Sequence, residues 1–304
     1  MKRFLLPIAA AVIGTAAHAQ AVEAGQEDSL RMYRLQEIEV TATRADAATP
    51  VAYTDIARDE IARNSFGSDI PSVLALTPSM VATNETGIGI GATSVRLRGT
   101  DATRLNVTIN GPDSHSMYWY DTPDLISSVG TVQVQRGAGI STNGTGAFGG
   151  AVNMTTEALP TDFNGSASLS YGSYNTNKQA VGISSGLLGG HWAVDARLTH
   201  IGSEGYIDRG ATDLKSYMFQ GAYYNGNTML KLVSFGGKAK TYLTYNGVTK
   251  EDMKRYGRRY HDSGQYVTSD GPFVLADGTH VDYYDDQTDN YLQINNQLVL
   301  SHRF

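Results

Sequence analysis

The sequence predicts two parts in series: a small α+β domain, with short helices on a mixed sheet, and then antiparallel strands of a transmembrane β-barrel that is left incomplete. Three observations carry this expectation. Between residues 51 and 160, short helical segments alternate with short β-rich ones, punctuated by Gly, Pro and Asn-Gly. From residue 161 onward the β segments lengthen and alternate apolar with polar side chains. Beyond the N-terminus, no apolar run approaches the ~20 residues of a spanning helix, so any insertion must be by strands closed on themselves.

With 304 residues the chain has room for two domains. Its 24 Lys and Arg against 30 Asp and Glu give a formal net charge of −6, which leaves no basic excess for gripping phosphates; nucleic acid is not an expected partner. Cysteine is absent, and with it any disulfide framework or thiolate metal site. The 33 Gly and 18 Tyr, against 8 Phe and 2 Trp, suit tight turns and interfacial aromatics better than a helical enzyme core. The N-terminus indicates the compartment. Lys2 and Arg3 precede an apolar stretch from Phe4 to Ala17, and Ala17-His18-Ala19 places small residues at −3 and −1 of an export-signal cleavage site. Residues 1–19 are therefore expected to be a signal peptide. The competing reading, a membrane anchor, needs about 20 apolar residues, whereas polar ones begin at Gln20.

Residues 20–50 read as a linker around one β-prone segment, Glu37-Ile38-Glu39-Val40-Thr41-Ala42-Thr43-Arg44. Ile38, Val40 and Ala42 fall on one side and Glu39, Thr41 and Thr43 on the other, the pattern of a strand able to join another protein's sheet edge. On its residues alone it is equally the first strand of the next domain. Its position after an export signal and a linker makes it resemble the TonB box of TonB-dependent receptors. The resemblance implies that the energy-transducing TonB protein captures Glu37, Ile38, Glu39, Val40, Thr41 and Ala42 by strand addition. The space between Ala19 and this segment leaves no room for a periplasmic signalling module.

Residues 51–160 are expected to form one compact domain. Asp59–Asn64 and Asp69–Leu76 read as short helices, the second with Ser68 as N-cap, Pro71 in its first turn and Pro78 closing it. Gly87, Gly89 and Gly91 mark a loop. Strands follow at 94–99 and 105–111, the second entering an Asn-Gly turn, and again at 129–136 and 151–155. The run SVRLRGTDATRLNVTINGPD is similar to the first plug signature of TonB-dependent receptors, with Arg96, Arg98 and Arg104 at its arginine positions. VGTVQVQRGAGISTNGTGAFGGAVNMTTE resembles the second, an Arg-Gly turn, a glycine-rich stretch, Gly-Gly and an Asn-containing strand. Two positions depart from the family pattern. Gln133 stands where a Glu is common, so a family salt bridge is in doubt there although an amide still hydrogen-bonds, and Ala138 replaces Pro. Asn110 in place of Asp keeps the type I′ turn preference.

Gly99, Asn110, Gly111, Gly137, Gly149, Gly150 and Asn153 are expected to be structural, the glycines through positive φ or close backbone approach. Arg96, Arg98, Arg104 and Arg136 are expected to meet carboxylates or carbonyls where the plug touches the barrel, unless a wet lumen simply solvates them. The Gly87–Gly91 pattern is not a phosphate loop, since a strand rather than a helix follows and no Lys-Ser/Thr pair is present. No His-Glu-x-x-His occurs, and neither an enzyme nor a bound cofactor or metal is expected.

In the second part, strands are expected near 163–174 and 176–187, then from His191. Trp192, Val194, Ala196 and Leu198 face lipid while Asp195, Arg197 and Thr199 face water; Leu292, Ile294, Leu298 and Leu300 alternate with Gln293, Asn295 and Gln297, and Tyr217, Phe219 and Tyr223 with Gln220. A soluble sandwich alternates too; the charged and amide inner face suits a wet lumen. Short turns at Gly189-Gly190 and Asn225–Asn227 put the longer 202–212 and 247–288 segments outside, the latter with Tyr256, Arg258, Arg259, Tyr260, His261, Asp285 and Asp286. That gives about six strands, or about seven if Gly236-Gly237 splits one, too few to enclose a plug when plugged barrels have about 22. The chain therefore reads as truncated, and the terminal Phe304 as a coincidental match to outer-membrane proteins.

The resemblance implies an outer-membrane receptor for energised uptake of a scarce extracellular ligand: a ferric siderophore or haem first, cobalamin or a glycan next. Its apical contact candidates are Asn84, His115, Met117, Tyr118, Trp119 and Tyr120, aromatics beside His and Met that are suited to stacking on a planar ligand or approaching a metal, or equally to packing a loop on the wall. The other classes weighed are an outer-membrane adhesin or structural barrel and a soluble periplasmic plug-like binding protein.

Overall fold

The computed structural model describes residues 43–64, 69–86, 88–111, 125–138, 143, 146–278 and 281–302. The expected leader, residues 37–42 of the expected TonB box, and residues 113–121 lie outside them.

The first part begins with β1 (Ala52–Ile56), α1 (Arg58–Asn64), α2 (Ile70–Leu74), β2 (Met80–Asn84) and β3 (Thr93–Leu97). It ends with β4 (Leu105–Ile109), β5 (Val129–Arg136) and β6 (Gly150–Thr156). Asp69, not Ser68, occupies the N-cap position of α2, and the helix closes at Leu74 with Pro71 in its first turn. β1 and β2 are not evident from sequence pattern; both exist through pairing, β1 with β5 and β2 with β3. The sheet order is β1-β5-β6-β4, antiparallel except for the parallel β4–β6 pair. This is the mixed sheet the sequence predicts.

Alternation along these strands divides the sheet into two faces of different chemistry. On one, Ile56 lies beside Val132, Val132 beside Met154, Val134 beside Val152, and Val107 and Ile109 beside Val152 and Met154. Ile61, Ile70, Val73 and Leu74 of the helices cover this face together with Val95 and Leu97 of β3, all nearly solvent-free. At about 25 cal/mol per Å² of apolar surface, burial here is the main force holding the domain together. The other face presents Gln133 and Gln135 on β5, Asn153 on β6 and Thr108 on β4, also buried. Neutral hydrogen-bonding side chains therefore line the second face.

The second part is a six-stranded antiparallel meander in the order β14-β11-β10-β9-β8-β7. It comprises β7 (Asn164–Tyr171), β8 (Asn177–Leu188), β9 (Trp192–Ser203), β10 (Thr212–Asn225), β11 (Thr228–Tyr242) and β14 (Thr288–His302). Between β11 and β14 run α3 (Lys250–Tyr256), capped by a reciprocal Thr249–Asp252 box, and the small hairpin of β12 (Val267–Thr268) and β13 (Gly271–Pro272). β11 is not split at its glycine pair. A Cβ on Gly236 would come within 2.1 Å of the Gln293 carbonyl oxygen and one on Gly237 within 2.1 Å of the Lys215 carbonyl oxygen, so the pair lets both neighbouring strands approach. Short turns join β8 to β9 and β10 to β11, with Gly189, Gly190 and Gly226 at positive φ. The long connections 204–211 and 243–287 lie at the opposite end.

Side chains on the wall sort as the alternation predicts. Val181, Ile183, Trp192, Leu198, Leu292, Ile294, Leu298 and Leu300 stand exposed on the outside. Ala193, Thr199, Gln220 and Val233 point inward and are buried, Gln220 and Val233 against the first domain. β7 and β14 are the two edges of an unclosed sheet, so the barrel is incomplete. Among the described residues no helix is long and apolar enough to cross a membrane.

Gly150 provides a test of this architecture. Its φ is +151°, and an added Cβ would lie 2.3 Å from the Gln135 carbonyl oxygen of the paired strand and 2.5 Å from Leu97. Gly150→Ala is expected to destabilise the first domain by about 2–4 kcal/mol, read as earlier loss of protease resistance in graded urea. An unchanged urea midpoint would show that the close approach is not needed.

Candidate functional site

Three regions bring polar side chains together in ways the fold alone does not need: the entry of the chain into the sheet, the seam between sheet and wall, and the loops at the long-connection end.

At the entry, residues 43–45 lie on the polar face of the sheet. The Gln133 amide accepts from the Ala45 N–H (2.7 Å) and donates to the Ala45 carbonyl (3.0 Å) and to Asp55 (2.8 Å). Gln135 donates to the Thr43 carbonyl and to Gln133, both at 2.8 Å, and accepts from Asn143. Asn153 donates to the same Thr43 carbonyl (2.8 Å) and accepts from Thr108 (2.7 Å). The Arg44 guanidinium donates to Thr131 and lies 3.6 Å from the Asp55 carboxylate. Burying this many amides is tolerable only because each finds a partner.

At the seam, Glu157 just after β6 takes Arg58 of the first domain on one oxygen and Arg197 of the wall on the other, the latter at 3.1 Å. Gln220 donates to the Glu157 carbonyl (3.2 Å) and accepts from Thr156 (3.0 Å). Asn110, with φ +55° before Gly111 at +94°, accepts from the Thr156 N–H and donates to Gln297 of β14, whose amide donates back to the Ile109 carbonyl. The residue expected only to shape a turn thus also ties the sheet to the wall. Lys178 reaches Ser127 across the same seam. Among the described residues, buried apolar clusters cross the seam at two patches: Met218, Val233 and Phe235 with the domain core, and Ile201, Leu214 and Ala239 with Ile88 and Ile90.

The arginines taken from the plug signatures lie elsewhere. Arg96, Arg98 and Arg104 are exposed; Arg98, itself at φ +52°, donates to the Arg136 carbonyl, and Arg104 lies over the Phe148 ring. Arg136 donates to the Pro78 carbonyl and to Thr54. These described contacts stay within the first domain, and the ion pair to the wall comes from Arg197, whose inward place on β9 the alternation had given. Of the structural positions, Gly99, Gly111, Gly137 and Gly150 have positive φ. At Gly149 a Cβ would press on Thr100 and the Arg104 carbonyl, which makes close approach its reason for being glycine.

At the apex, Asn84 spends its side chain on its own loop, donating to Thr93 and accepting from Thr86. That loop is stitched to the wall by the Thr86–Leu243 bridge and by the Thr244 N–H donating to the Glu85 carbonyl. The remaining apical candidates, His115, Met117, Tyr118, Trp119 and Tyr120, lie outside the described residues. The outer loops add an aromatic platform only partly foreseen. His261 stacks on Tyr283 at 5.2 Å, Arg209 lies 4.6 Å over the Tyr283 ring and pairs with Asp286, and Arg259 pairs with Asp208 while covering Tyr174. Burial pushes the Tyr283 hydroxyl up to about 12 and, with Arg209 nearby, lowers His261, so both are neutral at pH 7. Tyr283 and Arg209 had no motif to mark them; the signal available was the density of Tyr and Asp at 282–286. Among the described residues no group of three or more His, Asp or Glu side chains is arranged to hold a metal.

Beneath the apex lies a buried carboxylate. Asp69 accepts from Ser72 and Thr93, both at 3.1 Å, and burial pushes its pKa from 3.8 up to about 6.

Residues 45–151 match the family described as TonB-dependent Receptor Plug Domain. The chain carries this plug domain followed by antiparallel strands of an incomplete barrel. The fold is similar to that of a chain in the FpvAI–pyocin S2 complex (TM-score 0.63, 18% identity, 87% of this chain and 34% of that one). It is also similar to the ferripyoverdine receptor of the outer membrane of Pseudomonas aeruginosa (0.59, 17%, 87% and 34%) and to the ferric yersiniabactin uptake receptor FyuA from Yersinia pestis (0.56, 15%, 66% and 33%). The chain spans about a third of the length of these structures. No curated protein matches it.

Asp69 generates a prediction with a definite sign. A carboxyl whose pKa is higher folded than unfolded binds its proton more tightly when folded, so its stabilisation is present below pH ~4 and is lost as pH rises through about 6. The shift of about two units corresponds to at most ~3 kcal/mol. Asp69→Asn is expected to flatten that part of the pH dependence of the urea midpoint between pH 4 and 7; a variant with the parent's slope would show that Asp69 does not titrate in this window.

Proposed function

We propose that the chain supplies the plug and first wall strands of a TonB-dependent outer-membrane receptor that imports a scarce extracellular ligand, with an iron chelate such as a ferric siderophore, or haem, ahead of cobalamin or a glycan. One observation carries the reading. The plug lies on the inner face of a wall whose outer face is apolar, and much of the seam between them is hydrogen bonds and ion pairs that water can replace. A pull on the plug can therefore exchange these contacts for hydration. Neighbouring folds point the same way on ligand class, since two of the solved receptors are named for ferripyoverdine and ferric yersiniabactin.

In this reading residues 1–19 are the export signal, and Glu37, Ile38, Glu39, Val40, Thr41 and Ala42 are the handle that TonB captures as an added strand. The ligand meets the apex through Asn84, His115, Met117, Tyr118, Trp119 and Tyr120, and the Tyr283–Arg209 platform of the outer loops adds to that site. Arg96, Arg98 and Arg104, which are exposed, and Arg136 are the plug's contacts for the rest of the barrel.

Two experiments test it. In the receptor assembled with a complete barrel, Ile38→Pro or Val40→Pro is expected to reduce energised uptake of a labelled ferric chelate at least about tenfold with binding unchanged, because Pro cannot donate to a strand ladder; uptake at the parent's rate would remove the handle assignment. The same receptor is expected in the outer-membrane fraction as a heat-modifiable band. Recovery as a soluble periplasmic protein would favour the plug-like binding protein instead.

A further inference from the structure

The polar face of the plug sheet binds main chain, and the way it does so is specific. Gln133 uses its full capacity: two donors to the Ala45 carbonyl and Asp55, two acceptor positions for the Ala45 N–H and Gln135. The Thr43 carbonyl takes two donors, from Gln135 and Asn153. Donation runs one way from Asn143 through Gln135 and Gln133 to the carboxylate of Asp55, which also lies beside Arg44. None of these bonds to residues 43–45 involves an apolar side chain, and a cleft of about 600 Å³ lined by Arg44, Asp46, Tyr53, Asp55, Glu60 and Gln133 opens beside them. Water has a path to Arg44, Ala45 and Gln133 as they separate.

We propose that Gln133, Gln135, Asn143 and Asn153 form a releasable clamp on the backbone of residues 43–45, one that opens while the β5–β6 ladder stays closed. The clamp reads main chain rather than side chains, because a neutral amide both donates and accepts where a carboxylate only accepts. A glutamate at position 133 would lose the bond to the Ala45 carbonyl and set a second negative charge against Asp55. The apolar face of the sheet takes no part, so release costs hydrogen bonds that water replaces and exposes no core. The inference rests on the proposed handle only for what does the pulling; the clamp itself is a property of described residues.

Native-state hydrogen exchange on the full chain in detergent micelles tests this without TonB or ligand. In the parent, the Ala45 N–H is expected to exchange through a local opening, faster than the amides of Val132, Val134 and Val152. Gln133→Glu is expected to speed Ala45 exchange about tenfold to a hundredfold, and Gln133→Met, similar in size and uncharged, about tenfold, with those three valine amides unchanged in both. Ala45 exchange equal to the parent in both variants would overturn the clamp. Parallel acceleration of the valine amides would also overturn it, since residues 43–45 would then be part of the core rather than latched onto it. Neither result bears on the proline test of the handle.

Discussion

Each buried polar group on the second face of the plug sheet must find a hydrogen-bond partner, and much of the arrangement follows from that requirement. An antiparallel sheet usually leaves one face to solvent. Here Gln133, Gln135, Asn153 and Thr108 are at most 3% exposed. Left unpaired, each would cost about 1–3 kcal/mol. Their partners are main-chain groups of residues 43–45, Asp55, Asn143 and one another, so the chain's entry, Asn143 and four strands are fixed together. The domain is cemented on one side by apolar burial and on the other by amides.

The contact with the wall repeats this logic on a larger scale. An inner wall surface of apolar residues would hold the plug by dehydration, and separation would expose that surface. Here Glu157, Gln220, Gln297 and Asn110 share the seam with two limited apolar patches. The patches fix position, and the polar bonds fix orientation while remaining exchangeable with water. On the other side of the same strands, the exposed leucines of β14, up to 71% accessible at Leu298, make an apolar outer surface.

The wall was the more legible half. Period-two alternation states directly which side chains go in and which out, and the assignments for Trp192, Leu198, Gln220 and the leucines of β14 depend on that alone. Turn chemistry located the short connections at Gly189-Gly190 and Gly226. The strand that glycines threatened to divide is continuous because Gly236 and Gly237 admit neighbouring backbones rather than ending the pairing. Harder to read were β1 and β2, five residues each, whose existence depends on partners distant in sequence, and the parallel β4–β6 pair, which no local signal specifies.

By itself the sequence determined the division into a mixed α+β domain and an alternating wall, the inward and outward faces of that wall, and the glycines and Asn110 that turn the chain, because these depend on periodicity and on backbone conformations open to few residues. Tertiary structure alone decided where the polar side chains found partners. Arg136 turned to the Pro78 carbonyl, Arg197 met Glu157, and Gln133 closed on Ala45, 88 positions away in the chain. A hydrogen bond requires atoms within about 3 Å at the right angle; residue type says that a partner is needed, and only the packed chain brings one there.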